Sequence, residues 1–181
     1  MLNKNHPSKK FKYCPVCGSN NFKLNTNKSF LCETCKFNYY INSVSSVAVI
    51  IQDQEGRLLL MKRERDPFKG LWDLPGGFVD VGERAEETVI REVKEETNLD
   101  VIEIKYLYSE PNEYVFSDLT IFTLDLVFKV KVNNTNNIKS NDIEESNEIQ
   151  FFEPQKIDVD MIGLKSIKNI VKKIITNRDE F

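Results

Sequence analysis

From residue 45 onward, short apolar runs alternate with polar punctuation. Ser46–Ile51 (SVAVII) reads as a buried strand, and Gln52–Gly56 (QDQEG) as the turn that ends it. Arg57–Lys62 resumes the apolar pattern, so the two runs are predicted to form a hairpin. Leu71–Val79 is dense in Gly and Pro and predicts a loop with a short strand. Arg84–Thr97 has helical spacing, with Asn98 placed to cap its end. Val101–Ser109 and Leu119–Val132 read as strands, the second rich in β-branched and aromatic residues. Asn133–Asn147 contains six Asn and predicts a mobile surface loop. Glu148–Phe152 is the last predicted strand. Ile162–Thr176 is a closing amphipathic helix, whose Ile162, Ile167, Ile170, Val171 and Ile174 recur at core-packing intervals. Strands with helices between and after them predict an α/β sandwich around a mixed sheet.

The first 42 residues differ in kind. They hold all four cysteines, as Cys14-Pro-Val-Cys17 and Cys32-Glu-Thr-Cys35. Two CxxC knuckles in so short a stretch predict a structural Zn²⁺ site, because a module of this size has too little core to fold unaided. Two disulfides or a rubredoxin-like iron site are the competing readings. The same stretch carries seven lysines against Glu33 alone, a net of +6 in a chain whose total is −3. That asymmetry divides the chain into a basic ribbon, 1–42, and an acidic body, 43–181. The ribbon could attract phosphates, or its lysines could simply keep it soluble. The only histidine, His6, falls in an expected disordered tail, which leaves no Ser-His-Asp or Cys-His chemistry to build. No apolar run is long enough to span a membrane, and no signal-peptide pattern opens the chain. A cytoplasmic location without membrane contact is therefore expected, which argues against disulfides.

The predicted helix at Arg84–Thr97 is odd on physical grounds. Glu92, Glu95 and Glu96 stand at i, i+3 and i+4, where like charges cost roughly 0.2–0.5 kcal/mol per pair. They crowd the helix C-terminus, where the dipole disfavours anions. At about 100° per residue, Glu92 and Glu96 project within roughly 20° of Ala85, continuing the inward face, while Glu87, Arg91 and Lys94 take the solvated back. A solvated charge run explains none of this. Divalent cations held by hard oxygen ligands, Mg²⁺ or Mn²⁺, explain all of it.

In sequence, Gly77, Glu83, Arg91, Glu92, Val93, Glu95, Glu96 and Leu99 resemble the Nudix box, with Asn98 in place of the expected Gly. Gly70, Trp72, Pro75 and Gly76 resemble its usual lead-in, and the likeness covers about Ser45 to Phe152. The resemblance implies an α/β/α sandwich carrying a metal-dependent hydrolase that splits a pyrophosphate bond in a nucleoside diphosphate derivative. It implies that Glu92, Glu95 and Glu96 hold the catalytic metal, with the Gly76 carbonyl as a further ligand and with Arg91 and Glu83 bracing loop against helix. Glu92 is the first choice of general base, and Glu145 the second.

A cysteine ribbon before a Nudix domain is similar to the NADH pyrophosphatase branch, whose members form homodimers and also act on NAD-capped RNA. In that branch an S-Q-P-W-P-F-P-x-S array follows the box. Here Ser109–Ser117 (SEPNEYVFS) keeps Ser109, Pro111 and Ser117, with Tyr114 for the aromatic. Tyr40 falls where the branch places a substrate contact. The likeness therefore implies NAD(H), ADP-ribose or a capped RNA as substrate, with Tyr40 and Tyr114 as base or ribose contacts. Nudix-fold isoprenoid isomerase chemistry needs a catalytic Cys, and all four here are committed to the ribbon. The remaining alternative is an inactive Nudix module with a nucleic-acid-binding ribbon.

Overall fold

The structure is a computed structural model that describes residues 3–135, 138–139 and 146–177. The chain separates into two compact units, Met1–Ser43 with Glu113–Phe122, and Val44–Asn112 with Thr123–Phe181.

The first unit is a short helix α1 (Pro7–Lys10) followed by β1 (Phe22–Thr26), β2 (Ser29–Cys32) and β3 (Asn38–Tyr40). The strands form one antiparallel sheet in the order β1-β2-β3. Its core is small, as a stretch of this length dictates: Cys14, Phe22, Phe30 and Cys32, with the Phe22 and Phe30 rings stacked at 4.8 Å. The expected disorder at His6 is not found. His6 is buried, its Nδ1 accepts the Ser8 amide at 3.1 Å to cap α1, and its ring meets the edge of Phe122. The Asn5 carbonyl accepts the Thr120 amide at 2.8 Å. The apolar partner that orders this segment lies more than a hundred residues away, so local composition could not reveal it.

The second unit contains β4 (Val44–Ile51), β5 (Leu58–Arg63), β6 (Trp72–Asp73), α2 (Ala85–Thr97), β7 (Val101–Phe116), β8 (Leu119–Val132), β9 (Ser146–Phe152) and α3 (Lys165–Thr176). The loop between β7 and β8 and its flanking residues group with the first unit. Two three-stranded sheets result, β4-β8-β7 and β6-β5-β9. The predicted β4–β5 hairpin does not form. Its strands lie in different sheets, linked by the single bridge Gln52↔Leu58. The run SVAVII is apolar on both faces, and β4 pairs in parallel with β8 from Val44↔Thr123 to Ile51↔Val130. Asp53 Oδ1 accepts the amides of Glu55 and Arg57, which turns the chain out of that sheet into β5.

Alternation along β4 divides the core. Val47, Val49 and Ile51 pack with Val89 and Val93 of α2, whereas Ala48 and Ile50 pack with Ile167, Ile170, Val171 and Ile174 of α3. This is a mixed α/β fold, with a helix against each face of β4. Strand β7 runs past the expected end at Ser109 to Phe116. It is an edge strand, where the missing N–H of Pro111 is tolerated. Ser117 and Asp118 both take positive φ, the pattern of a type I′ hairpin turn, without the Gly that usually announces one. Helix α3 begins at Lys165 rather than Ile162, because Gly163 intervenes. Ile162 is nevertheless fully buried and bridges to Trp72. Among the described residues, no helix is long and apolar enough to cross a membrane.

Candidate active site

The loop between β6 and α2 is built by two glycines that approach other groups too closely for a side chain. Val49 and Val47 of β4 donate their amides to the carbonyls of Pro75 and Gly77, at 2.8 and 2.9 Å. Between them Gly76, at φ +144°, donates its amide to Glu96 Oε2 at 2.8 Å. A Cβ at Gly77 would lie 2.2 Å from Glu92 Oε1. The loop backbone is thus pressed against the inward carboxylates of α2.

At the start of helix α2 the Glu87 carboxylate accepts the Arg84 amide at 2.8 Å. The helix ends at Asn98, whose φ of 58° is the left-handed conformation that a Gly would take there and that Asn also tolerates. Glu92 and Glu96 are each only 7% exposed, whereas the Glu95 side chain is 56% exposed at the rim.

Arg91 does not occupy the solvated back of the helix, as its wheel position implied. Its long side chain folds around to the loop. Nε and Nη2 donate to the two oxygens of Glu83 at 2.9 Å, and Nη2 also to the Phe78 carbonyl at 3.2 Å. Nη1 donates to Glu92 Oε1 at 2.8 Å and to Glu95 Oε2 at 3.2 Å. A helical wheel places the Cβ and misses the reach of a four-torsion side chain. Glu83 also accepts the Asp80 amide and the Thr88 hydroxyl. Arg91 foremost, with these donors, holds the Glu83 carboxyl down at about 2, and Glu83 in turn raises the Arg91 guanidinium above its usual range. Glu145, the second base candidate, lies outside the described residues.

The four cysteines converge in the first unit, their Sγ atoms all within 4.8 Å of one another. Cys14–Cys35 and Cys17–Cys32 are each separated by 3.7 Å. A tetrahedron with Zn–S bonds of about 2.3 Å has edges of about 3.8 Å, so the thiol set fits that ion. The amides of Cys35 and Thr34 pull the Cys32 thiol down to about 6. The Ser19 amide favours the Cys17 thiolate, but the neighbouring sulfurs, led by Cys35, and desolvation push it up to about 12. Four thiolates this close need a cation among them. Among the described residues, this is the group of ligand atoms drawn tightly enough to hold an ion, while Arg91 ties Glu92 and Glu95 to its own guanidinium.

Tyr40 lies on β3, 54% exposed, and its hydroxyl accepts from Asn38 Nδ2 at 3.0 Å. Tyr114 lies near the end of β7. Both belong to the first unit, while Glu92, Glu95 and Glu96 belong to the second. Glu110, in the place of the array's Gln, is clamped by Asn169 Nδ2 at 2.8 Å and Lys173 Nζ at 2.9 Å. Its role here is to dock α3 on β7, which the isolated array did not disclose.

A glycine loop pressed onto a buried, arginine-stapled glutamate helix, beneath two sheets flanked by helices, defines a Nudix architecture. The Nudix domain family matches residues 43–174, and the chain belongs to that family. It is 41% identical over 99 residues to an ADP-ribose pyrophosphatase of Methanocaldococcus jannaschii, covering 51% of this chain and 56% of that protein. It is 32% identical over 120 residues to the NAD-capped RNA hydrolase NudC of Vibrio vulnificus, covering 66% of this chain and 45% of that one. The chain therefore spans about half the length of these curated relatives. A Nudix hydrolase from Nitrosomonas europaea superposes with a TM-score of 0.70 at 27% identity, covering 93% of this chain and 92% of the other.

Proposed function

We propose that the protein is a metal-dependent pyrophosphohydrolase acting on a nucleoside diphosphate linked to another moiety, of the ADP-ribose or NAD(H) kind. The observation that carries this reading is the burial of Glu92 and Glu96 against the Gly76–Gly77 backbone. Two carboxylates are taken out of water side by side on one helix face, Glu92 against Arg91 and Glu96 against the Gly76 amide, a concentration of buried negative charge that a bound cation stabilises. An all-carboxylate donor set suits Mg²⁺ or Mn²⁺. Glu92 and Glu96, with Glu95 at the rim and the Gly76 carbonyl, are the proposed ligands. When bound, such ions neutralise the diphosphate and acidify a water for in-line attack.

The chain's own contribution is positioning and proton transfer. The Gly76 amide fixes Glu96, and Arg91 fixes Glu92 Oε1, so neither carboxylate must reorganise when substrate arrives. Glu92 is the proposed base that takes the proton of the attacking water. Water oxygen bonds to one phosphorus and the bridging P–O bond breaks. AMP and the second phosphorylated moiety leave.

The names of the relatives supply the substrate kinds, ADP-ribose and NAD-capped RNA. Cys14, Cys17, Cys32 and Cys35 are proposed to hold a structural Zn²⁺, and Tyr40 and Tyr114 to stack on a base. The test is turnover of ADP-ribose, NADH and an NAD-capped oligonucleotide with Mg²⁺ or Mn²⁺, followed by release of AMP or of 5′-monophosphorylated RNA. Failure of all three would overturn the reading.

A further inference from the structure

Across the sheet from α2 lies a second polar group that the proposed chemistry does not use. Ser46 and Asp125 are register partners on β4 and β8, and the Ser46 hydroxyl donates to Asp125 Oδ1 at 2.5 Å. The Thr123 hydroxyl donates to the same oxygen at 2.8 Å. Neither bond reaches Oδ2, and Asp125 is only 5% exposed. By strand alternation these side chains share the face of Ala48 and Val127, which pack with the apolar stripe of α3.

Strand β7 and helix α3 supply the rest. The Glu110–Asn169 and Glu110–Lys173 bonds, with Lys173 over the Tyr108 ring at 4.0 Å, run β7 and α3 antiparallel. Two residues further along β7 is Asn112, and one turn back along α3 is Ser166. Asn112 Oδ1 and Ser166 Oγ are buried and make no hydrogen bond. Asn112 is 7% exposed and Ser166 0%. Folding leaves polar atoms unmatched inside a protein only rarely, because each costs a hydrogen bond's worth of desolvation. The N-cap of helix α3 is Leu164, which offers no side-chain cap for the first amides. Asp73, three residues before Gly76, borders the same region. Burial raises its carboxyl against the pull of Arg63, and the charge of Asp125 adds to the rise.

We propose that Asp125, Asn112 and Ser166 form a specificity subsite on the α3 face of the sheet. It would receive a neutral hydrogen-bond donor, a sugar hydroxyl or a nucleobase amine, carried by the diphosphate substrate. The unmatched atoms decide the chemistry. Asp125 Oδ2 and Asn112 Oδ1 are acceptors and Ser166 can serve either way, so the ligand must bring donors and no negative charge of its own. The position follows from Asp73-Leu74-Pro75-Gly76, which connects this region to the box loop in four residues. This assignment rests on the hydrolase reading for the identity of the substrate, but its test does not rest on turnover.

Binding to the full chain as purified, with no Mg²⁺ or Mn²⁺ added, is measured by calorimetry for three probes. These are ADP-ribose, its hypoxanthine analogue lacking the base amine, and an analogue whose terminal ribose lacks the 2- and 3-hydroxyls. A site built to bond a donor rejects the ligand lacking it, so one analogue should bind at least about tenfold more weakly than ADP-ribose. That analogue identifies the donor. Ser166→Ala and Asp125→Asn should weaken ADP-ribose about as much and leave the poor analogue unaffected. Ser166→Ala removes a hydroxyl that bonds to nothing, so its melting temperature should hold or rise, which keeps the test valid where Asp125→Asn fails to fold. Absence of ADP-ribose binding, equal affinity for all three probes, or an equal loss for all three in Ser166→Ala would overturn the proposal. Wild-type binding with the expected discrimination, but no hydrolysis under Mg²⁺ or Mn²⁺, would sustain the subsite and sink the hydrolase reading.

Discussion

A methyl group at Gly76 would sit 2.1 Å from the Val47 carbonyl oxygen, and one at Gly77 would sit 2.2 Å from Glu92 Oε1. The two substitutions should therefore fail differently. At Gly76 the obstacle is backbone and φ is +144°, so Gly76→Ala should lose about 2–4 kcal/mol of stability from strain and overpacking. At Gly77 the obstacle is the far end of a side chain, which can swing away. Gly77→Ala should keep the melting temperature nearly unchanged and lose kcat by about a hundredfold, because the carboxylate is displaced by about an ångström. Equal melting temperatures for the two variants would contradict this assignment. Glu83 offers a separate residue-scale test. Its carboxyl is lowered from 4.5 to about 2 by Arg91, so the folded state binds that proton less readily than the unfolded chain. The stabilisation is complete above about pH 4.5 and is lost as pH falls toward 2. Urea unfolding of wild type and Glu83→Gln should accordingly differ at pH 7 and converge near pH 2. A gap independent of pH would show that Glu83 acts by packing alone.

At the scale of the element, α2 is a helix whose sequence works against its own stability. Glu92, Glu95 and Glu96 repel one another near a helix C-terminus, and Arg91 offsets only part of that. Glu96→Gln should reduce kcat at saturating Mg²⁺ by at least about a hundredfold, since an electrostatic contact at the reacting centre is worth that much. The metal-free fold should hold or gain a few tenths of a kcal/mol, because repulsion is relieved and the new side-chain oxygen still accepts the Gly76 amide. Near wild-type turnover would remove Glu96 from the site. The inward placement of Glu92 and Glu96 was legible in the sequence because helical periodicity fixes where each Cβ points. The Arg91 staple was not, since it depends on a side chain reaching a loop whose path only tertiary packing sets. The same divide separates strand β4, legible from its apolar run, from its partner. Parallel pairing with β8 joins segments about eighty residues apart, and no local pattern encodes that choice. The type I′ turn at Ser117-Asp118 carries no glycine, so no local signal in the sequence marks where β7 ends, at Phe116 rather than Ser109.

The molecule as a whole joins a metal-sized thiol cluster to a segment remote in sequence. Glu113–Phe122, the distal part of the β7–β8 hairpin, groups with the cysteine ribbon. Within that unit the Thr120 amide donates to the Asn5 carbonyl at 2.8 Å, the Thr120 hydroxyl to Asn3 Oδ1 at 3.1 Å, and Phe122 packs against His6. The apolar core available to hold this together is two phenylalanines and two cysteines with a few half-buried aromatics around them. So small a core cannot offset the chain entropy of some fifty residues, so the unit's stability should be mostly metal-binding free energy. The purified protein is expected to carry about one zinc per chain, and a strong chelator should unfold the first unit selectively. Hydrogen exchange provides the measurement, because it reads each amide separately. On chelation the Phe30 and Cys32 amides should lose protection, and the Thr120 amide should lose it with them although it is 85 residues from the last cysteine. The amides of Val89 and Val93, in the α2 core, should keep theirs. Protein free of zinc and iron as purified would remove the metal site. Protection of Thr120 that survives complete metal removal would show that the distal hairpin is ordered by its own strand pairing, independently of the cysteines.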